Sequence, residues 1–246
     1  TSAAEAGAVS PDKRGGRAEE SDIADSVRRA AKSLATGQKV IGFKELPKEF
    51  QRQFRQRLTQ AAPEAKELIR KHYRQADYIL QEGLRSSYRR GFVQDVIILG
   101  ENASPSTLAH ELFHKLDKGH AVSGRLAESL AKDKAALEAA SQGRIKGFLA
   151  WRYPEAFEFN QVMYQQILEK EYRGIADILN GLSGGTVSYG YKHSQEYWAR
   201  PGSLEAEAWA QFGRMQFENN PKALKMLNEL FPKFSEDAMI MLKELK

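Results

Sequence analysis

The residues best placed to do chemistry are two histidines four positions apart, His110 and His114, with a glutamate, Glu111, directly after the first. Residues four apart lie on the same face of an α-helix, so both imidazoles can bind one metal ion. Glu111 would lie about 100° further round the helix, where a carboxylate contacts a water molecule at the metal rather than the metal itself. The chain contains no cysteine, so no thiolate competes as a ligand. This spacing predicts a catalytic zinc site in which Glu111 is the general base.

A catalytic zinc ion usually takes three protein ligands and keeps a fourth position for water, so a third ligand must come from elsewhere. One candidate is His120, which lies six residues after His114, the spacing of the metzincin pattern. That pattern has glycine where this chain has Asp117, which tolerates the required turn less well. The other candidate is Glu207, on a predicted helix that begins near Ser203, beside the apolar stripe of that helix. Spacing alone leaves both candidates open.

Local signals predict that the histidines lie on a helix with one buried face. Ser104 is a good N-cap, Pro105 is a favoured first helical residue, and Gly119 is placed to end the helix. An aliphatic strand at residues 95–99 precedes it. The residues of the polar face are Thr107, His110, Glu111, His114 and Asp117, and those of the apolar face are Leu108, Ala109, Leu112, Phe113 and Leu116. Such a helix packs on one side and presents the other to a cleft.

Periodicity and capping signals along the rest of the chain predict a helix-rich α+β fold with a small sheet. A helix is expected after the cap residue Ser21, a short strand at 39–43, and a glycine- and serine-rich loop at 180–190. The other expected helices cover about residues 48–60, 63–82, 122–142, 154–180, 203–219 and 221–246. Residues 1–20 show no periodicity and are predicted to be a disordered leader or linker. Residues 21–246 are then a single domain, with a helical N-terminal part at 21–92 and a catalytic part at 93–246.

Composition narrows the classes of function. Of the 246 residues, 41% are hydrophobic and the net charge is +5, as in an ordinary soluble protein. No apolar run is long enough to span a membrane, and we expect no cleavable signal peptide. Residues 52–90 are rich in arginine with interleaved aromatic residues, a pattern that can bind nucleic acid. Acidic residues interrupt the stretch and the aromatics fall at helical spacing, so we interpret it as a solvated helix face and expect no nucleic-acid partner.

Three short segments resemble the anthrax lethal factor-like metallopeptidases. They are residues 107–117 (Thr-Leu-Ala-His-Glu-Leu-Phe-His-Lys-Leu-Asp), residues 186–190 (Thr-Val-Ser-Tyr-Gly) and residues 207–215 (Glu-Ala-Trp-Ala-Gln-Phe-Gly-Arg-Met). The resemblance covers roughly residues 93–245, and only these motifs are specific. It implies a zincin-like domain with the motif on its active-site helix. The residues that it implies are His110, His114 and Glu207 as zinc ligands, Glu111 as base and Tyr189 as the hydroxyl that stabilises the oxyanion.

One departure from the family concerns the tyrosine. The interval from Tyr189 to Glu207 is longer here than in that family, and the additional stretch contains Tyr197, which is nearer in sequence to Glu207. Tyr197 is therefore a second candidate for the stabilising hydroxyl. The resemblance leaves the choice between the two tyrosines open.

The resemblance implies a gluzincin-type endopeptidase that cuts a protein or peptide. It also implies a bacterial effector or toxin, secreted or delivered into another cell, with a delivery region and an immunity or inhibitor protein as partners. Two alternatives remain. One is a metzincin-type protease that uses His120. The other is a zincin-like module of a phage or other particle, because the segment from Tyr197 to Glu207 is also similar to such domains; its zinc site would be structural or vestigial.

Overall fold

The computed structural model of the protein describes residues 28–33, 37–81, 86–89 and 95–245. The predicted leader at 1–20 and the predicted cap Ser21 lie outside these ranges, while residues 28–33 are helical. The α-helices that follow are α1 (Lys48–Gln60), α2 (Pro63–His72), α3 (Pro105–His120), α4 (Val122–Ala140), α5 (Ile145–Arg152), α6 (Arg173–Leu182), α7 (Gln195–Trp198), α8 (Ser203–Glu218), α9 (Pro221–Leu230) and α10 (Pro232–Glu244). Single 3₁₀ turns occur at Phe43–Glu45, Pro154–Ala156 and Lys170–Tyr172.

Two small sheets accompany the helices. The strands are β1 (Tyr78–Gln81), β2 (Ser87–Arg89), β3 (Val96–Gly100), β4 (Phe157–Asn160) and β5 (Gln165–Leu168). The first sheet has the order β1-β3-β2, in which β3 runs parallel to β1 with Tyr78 opposite Ile97 and antiparallel to β2 with Ser87 opposite Ile98. The second sheet is the β4–β5 hairpin. The prediction of a helix-rich α+β fold with a small sheet is confirmed.

The central strand and the helix after it form as their sequences indicate. Every residue of β3 is buried, which matches its continuous aliphatic run. Ser104 caps α3, because its Oγ accepts a hydrogen bond from the backbone N–H of Thr107 at 3.1 Å. The expected end at Gly119 is wrong. The helix continues to His120, and Ala121 takes the left-handed conformation with φ of 50°.

Asp117 explains why the chain can turn after His120 directly into α4. Its Oδ1 accepts a hydrogen bond from the backbone N–H of Ser123 at 2.6 Å. That N–H belongs to the first turn of α4, where backbone donors have no partner within the helix. The carboxylate thus caps α4 from the preceding helix, and no glycine is needed at the joint.

The predicted helix at 63–82 is wrong in its second half. Helix α2 ends at His72, and β1 begins at Tyr78. Tyr78 is buried and pairs with the central strand, and its hydroxyl donates a hydrogen bond to the backbone carbonyl of Tyr73 at 2.5 Å. The strand forms because β3 offers a pairing edge, which overrides the local helix preference. The strand expected at 39–43 is reduced to one antiparallel bridge between Ile41 and Tyr78.

The predicted helix at 154–180 is wrong for residues 154–172 and is confirmed only from Arg173 onward. Pro154–Ala156 forms a 3₁₀ turn, β4 and β5 form a hairpin, and a helix starts only at Arg173. Asn160 causes the turn, since its Oδ1 accepts hydrogen bonds from the backbone of the residues two and three positions later, at 3.0 and 2.9 Å. The hairpin has an exposed apolar tip, formed by Phe159, Val162, Met163 and Tyr164.

The remaining helices agree more closely with prediction. The helices expected at 48–60, 122–142 and 203–219 are confirmed within two residues as α1, α4 and α8. The single helix expected at 221–246 is two helices, because Pro232 cannot continue α9 and begins α10 instead. Helix α5 was not expected. None of the helices in the described ranges has the length and apolar character needed to cross a membrane.

Helix α8 lies at the centre of the molecule and packs against α3, α4 and α6. Its contact with α3 is unusually close. A methyl group placed on Gly213 would lie 2.1 Å from the ring of Phe113, so only glycine allows this approach. The indole N–H of Trp209 donates to the backbone carbonyl of Phe113 at 3.0 Å. This contact fixes α8 against the helix that carries the two histidines.

The N-terminal helices share the same core. The ring of Phe54 on α1 stacks on that of Phe217 on α8 with centroids 5.3 Å apart. Asp77, at the start of β1, is buried and accepts hydrogen bonds from Arg28, from Lys32 at 2.8 Å and from Arg29 at 3.3 Å. These ion pairs join the helical residues 28–33 to the first sheet.

Candidate metal centre

Three side chains converge between α3 and α8: His110, His114 and Glu207, which we call the His-His-Glu group. The Nε2 atoms of the two histidines are 3.0 Å apart. The carboxylate of Glu207 lies 3.4 Å from His110 Nε2 through Oε2 and 3.3 Å from His114 Nε2 through Oε1. Ligands at about 2.0–2.1 Å from a tetrahedral zinc ion are separated from one another by about 3.3–3.4 Å. The three donors therefore stand close to the spacing of ligands on a single ion.

The hydrogen bonding of the group also fits a cation. Glu207 is 3% exposed, and its Oε2 has no hydrogen-bond partner among the described residues. A buried carboxylate oxygen without a partner is costly. A divalent ion held by the three side chains would supply the missing partner. Histidine and carboxylate are ligands that zinc prefers when no thiolate is present.

The charges in the group favour a positive species between the side chains. Burial opposes protonation of His114, but the adjacent carboxylate of Glu207 outweighs it and raises the pKa of His114 to about 9. Burial likewise opposes the charged form of Glu207, and the two histidines overcome it, so the pKa of Glu207 lies well below its ordinary value. The carboxylate is thus ionised in a buried place where positive charge is required.

The position of each ligand follows from the helices. His110 and His114 are one turn apart on the polar face of α3, and their rings contact edge to face with centroids 4.6 Å apart. Glu111 lies beside them, is 5% exposed and lines the same cleft. Glu207 is on the first half of α8, one turn before Gln211 and on the same helix as Trp209 and Gly213, which pack on α3. Sequence spacing could not have located it, because α8 lies about ninety residues beyond α3 and is positioned by tertiary packing alone.

The two candidate tyrosines have different surroundings. Tyr197 on α7 donates its hydroxyl hydrogen bond to Oε1 of Glu207 and lines the cleft. Burial and the negative charge of Glu207 raise the pKa of Tyr197, so the hydroxyl stays protonated and able to donate. Its ring stacks on the imidazole of His193 with centroids 4.3 Å apart.

Tyr189 lies elsewhere. Its side chain is 2% exposed and belongs to the hydrophobic core, and it is not among the described residues that line the cleft. Burial raises the pKa of Tyr189 to about 12. The Nζ of Lys146 lies 5.9 Å from the centroid of its ring. The structure therefore brings Tyr197, and not Tyr189, to the His-His-Glu group.

His120, the alternative third ligand, is also away from the group. It is exposed in the last turn of α3. Because the helix continues without a turn at Asp117, six residues carry His120 about 9 Å along the axis and about 240° round it from His114. His120 belongs to neither of the ligand groups found among the described residues.

Two residues beside the group were missed by sequence reasoning. His193 and Asp177 form a second cluster with Glu207, in which His193 Nε2 lies 3.5 Å from Asp177 Oδ2 and 3.9 Å from Glu207 Oε2. Asp177 is fully buried, and its Oδ2 accepts a hydrogen bond from Gln211 at 2.7 Å. Although burial works against it, Asp177 raises the pKa of His193. A signal was present in the sequence, since Asp177 is the one carboxylate of α6 and stands in the apolar run from Ile175 to Leu179, where a buried carboxylate needs a partner.

A buried asparagine holds the segment that carries His193. Asn180 Oδ1 accepts hydrogen bonds from the indole N–H of Trp198 at 2.7 Å and from the backbone N–H of His193 at 3.2 Å. Its Nδ2 donates to the carbonyl of Val187 at 2.8 Å. The side chain is completely buried, so these bonds satisfy it within the protein. The loop beside the metal group is therefore fixed at three points.

The His-His-Glu group lies in a cleft with a volume of about 760 Å³. Glu111, Tyr191, His193 and Tyr197 line it, together with Ser87 at the start of β2. Its volume is within the range of ligand-binding sites. A polar cleft that contains three converging metal ligands, an adjacent carboxylate and a tyrosine hydroxyl can bind and polarise a substrate group.

Comparison with protein-family models, with curated proteins and with solved structures finds no match to this chain. The protein is therefore classified by its fold and by the residues of its site. It is a helix-rich α+β protein in which two histidines and a buried glutamate, able to hold a metal ion, lie at an open cleft.

Proposed function

We propose that the protein is a zinc-dependent endopeptidase of the gluzincin type, with a zincin-like catalytic domain. The observation that carries this proposal is the convergence of His110, His114 and Glu207 beside Glu111 in one cleft. A purely structural zinc site is closed by four protein ligands, whereas this group of three faces a cleft. The open arrangement supports catalysis over a structural module, and the position of His120 argues against a metzincin.

The resemblance to the anthrax lethal factor-like metallopeptidases supports the same function. It names Glu207 as the third ligand, and this residue lies within 3.4 Å of both histidines. It names Glu111 as the base, and this residue lines the cleft. We further propose, from the resemblance alone, that the protein is a bacterial effector or toxin that is secreted or delivered into a target cell.

In the proposed reaction, each side chain at the site has a separate role. When bound, zinc supplies a Lewis acid that polarises the scissile carbonyl and lowers the pKa of water. Glu111 accepts the proton of the attacking water and passes it to the leaving amine. In the structure the hydroxyl of Tyr197 donates its single hydrogen bond to Glu207. Once this carboxylate is engaged as a metal ligand, the hydroxyl, which is protonated at neutral pH, is released to donate to the developing oxyanion instead. Asp177 holds the imidazole of His193 beside Glu207 and so keeps that carboxylate in place.

The position of strand β2 beside the cleft supports a peptide as the substrate. Strand β2 lies at an edge of the first sheet, with β3 as its one strand partner in the described part of the chain. Ser86 and Ser87, at the start of this strand, line the cleft. An extended peptide can add to such an edge through backbone hydrogen bonds, which places a peptide bond in the cleft without sequence-specific contacts.

The test is substitution of the base. Glu111→Gln should lower kcat for peptide cleavage by about 10²–10⁴, because the proton acceptor is removed. Zinc should remain near one ion per chain, measured by elemental analysis, since Glu111 is not a ligand. As matched variants, Glu207→Ala should lose zinc and His120→Ala should keep it. Retained cleavage in Glu111→Gln, or a wild-type chain that binds no zinc, would contradict the proposal.

A further inference from the structure

The cleft has a basic wall that the proposed reaction does not use. The cationic side chains that line it are Lys118, Arg173, Arg200 and Arg214. Two of them have acidic partners outside the metal group. Lys118 Nζ is 3.7 Å from the carboxylate of Asp95, and Arg214 Nε donates to Glu218 at 3.0 Å. Their charges are therefore compensated within the protein.

Arg173 and Arg200 differ from these two. Neither has a carboxylate within ion-pair distance in the described ranges of the chain. Each instead lies over an aromatic ring. The Cζ of Arg173 is 3.9 Å from the ring centroid of Tyr191, and that of Arg200 is 5.6 Å from the ring centroid of Tyr197. A guanidinium held against a ring face keeps the N–H groups of its plane directed outward, where they can donate to a carboxylate.

Arg173 also has an unsatisfied donor. Its Nε is buried, and within the described residues it has no hydrogen-bond partner. Buried donors without a partner are uncommon in proteins, because desolvation is not compensated. A ligand carboxylate beside Arg173 would satisfy this donor. Arginine forms two parallel hydrogen bonds with a carboxylate, which makes such a contact strong and directional.

The charge balance of the cleft points the same way. The carboxylates that line it are Glu111, Asp117 and Glu207, and the cationic side chains that line it without an acidic partner among the described residues are Arg173 and Arg200. Asp117 is occupied with the backbone of α4, and Glu207 with the histidines. Positive charge concentrated in a concave site attracts anionic ligands and speeds their association.

We propose that Arg173 and Arg200 bind a carboxylate of the peptide substrate, so that the protein prefers acidic peptides. This inference rests on the proposed function, because it takes the ligand of the cleft to be a peptide. The carboxylate has two sources, an Asp or Glu side chain near the scissile bond or the free C-terminus of a short peptide. Both present the same group to the guanidinium pair.

Binding to a cleavage-deficient chain tests the inference separately from catalysis. The 246-residue Glu111→Gln chain, stripped of metal with a chelator, is titrated against three fluorescein-labelled decapeptide pools by anisotropy. The first pool has a central Glu and an amidated C-terminus, and the second has the isosteric central Gln and the same amide. The third has the central Gln and a free C-terminal carboxylate. We expect the first or the third pool to bind at least about tenfold more tightly than the second. A tenfold difference in affinity is about what one charge-assisted hydrogen-bonded contact contributes.

Arginine variants in the same background assign the effect. Arg173→Gln and Arg200→Gln should each remove most of the preference, and Arg173→Lys should restore part of it, since lysine keeps the charge but not the fork of donors. Arg214→Gln is the matched control, because it removes the same charge from the same cleft but from a guanidinium that Glu218 already neutralises. Circular dichroism verifies that each variant is folded.

The outcomes separate the two proposals. A tighter first pool identifies a side-chain carboxylate and a tighter third pool a C-terminal one, and either supports the inference. Equal affinity for all pools, or an equal loss of preference in Arg214→Gln, overturns it. Because neither metal nor turnover enters the measurement, failure of the zinc peptidase test leaves this result unchanged. If neutral peptides were cleaved as fast as acidic ones, the inference would be wrong and the proposal of a peptidase would still hold.

Discussion

At the scale of single residues, Tyr197 and Tyr189 have different surroundings. The Tyr197 hydroxyl contacts a residue of the His-His-Glu group, whereas Tyr189 lies in the core. The resemblance places the oxyanion-stabilising hydroxyl at Tyr189, on a motif of five residues. The structure supplies a geometric reason to prefer Tyr197, since a donor must reach the reacting carbonyl to stabilise its charge.

We expect Tyr197→Phe to lower kcat by about 10²–10³, the usual effect of removing one oxyanion donor. KM should change much less, because the hydrogen bond strengthens as charge develops. Tyr189→Phe is the matched control and should retain wild-type kcat, since its hydroxyl does not line the cleft. Steady-state kinetics on a peptide substrate measure both. The reverse order of effects would return the role to Tyr189.

At the scale of elements, the site depends on how closely α3 and α8 approach. The ring of Phe113, the residue before His114, occupies the space above Gly213 on the helix that carries Glu207. Any side chain at Gly213 must push the helices apart or displace the ring. The separation of Glu207 from the histidines is therefore set by a glycine that contributes no atom to the site.

Gly213→Ala should destabilise the protein by about 1–3 kcal/mol through overpacking, and zinc affinity should fall with it. Gly124→Ala on α4 is the control, because a methyl group there meets nothing within 4 Å. That change should be neutral or stabilising by up to about 1 kcal/mol, as alanine favours a helix. Urea unfolding and zinc titration give the two quantities. Unchanged zinc affinity in a folded Gly213→Ala chain would show that the spacing of the helices does not control the site.

Elements with complete local signals could be predicted from the sequence. The cap at Ser104 and the two-faced pattern define α3, and the stripe of α8 defines that helix within two residues. Strand β1 and the β4–β5 hairpin could not be predicted, because their sequences also suit helices. Pairing with β3 and the turn at Asn160 decide their conformation, and both depend on the fold.

The same division applies to the site. His110, Glu111 and His114 follow from helical spacing alone. Spacing left Glu207 and His120 open, and the resemblance to a family favoured Glu207. Asp177 and His193 come from a helix and a loop that only the packing around Asn180 brings together, so no sequence interval could reveal them.

At the scale of the whole molecule, a metal held between α3 and α8 would link folding to binding. The ligands lie on separate helices, so the unfolded chain cannot present them together. Free zinc at a hundred times its Kd should add about 2.7 kcal/mol to the free energy of unfolding. For a chain of this size the Tm should rise by about 5–10 °C. Calorimetry with zinc and with a chelator tests this, and the Glu207→Ala chain should show no rise.

The N-terminal ion pairs make stability depend on acidity. Burial disfavours the Asp77 carboxylate, but hydrogen bonds from Arg28 and Lys32 outweigh it and lower the pKa of Asp77 below its ordinary value. A carboxyl whose pKa is lower in the folded state stabilises the fold above its unfolded pKa. That contribution is lost as the pH falls through the folded value. We therefore expect Asp77→Asn to lower the free energy of unfolding by about 1.5–3 kcal/mol at pH 7.

The difference between Asp77→Asn and wild type should shrink as the pH falls below the ordinary pKa of an aspartate, and urea denaturation across this range measures it. Glu49→Gln removes a comparable but exposed carboxylate, whose side chain and that of its partner Arg52 are both more than half exposed. It should leave the urea midpoint close to that of the wild-type protein, because exposed ion pairs contribute little. An equal effect of both substitutions would show that burial of Asp77 is not what matters.

The β4–β5 hairpin ends in an apolar tip, and we expect it to affect how the protein behaves at high concentration. Val162 is 94% exposed and Tyr164 is 85% exposed, so the tip presents apolar surface to the solvent. Exposed apolar surface of this kind favours self-association. None of the tip residues is among those that line the cleft. Val162→Lys adds a charge, and Tyr164→Asn replaces an aromatic residue at φ of 51° with one that tolerates that backbone. Together they should give a preparation that aggregates less and is better suited to crystallisation, with the His-His-Glu group and the cleft unchanged.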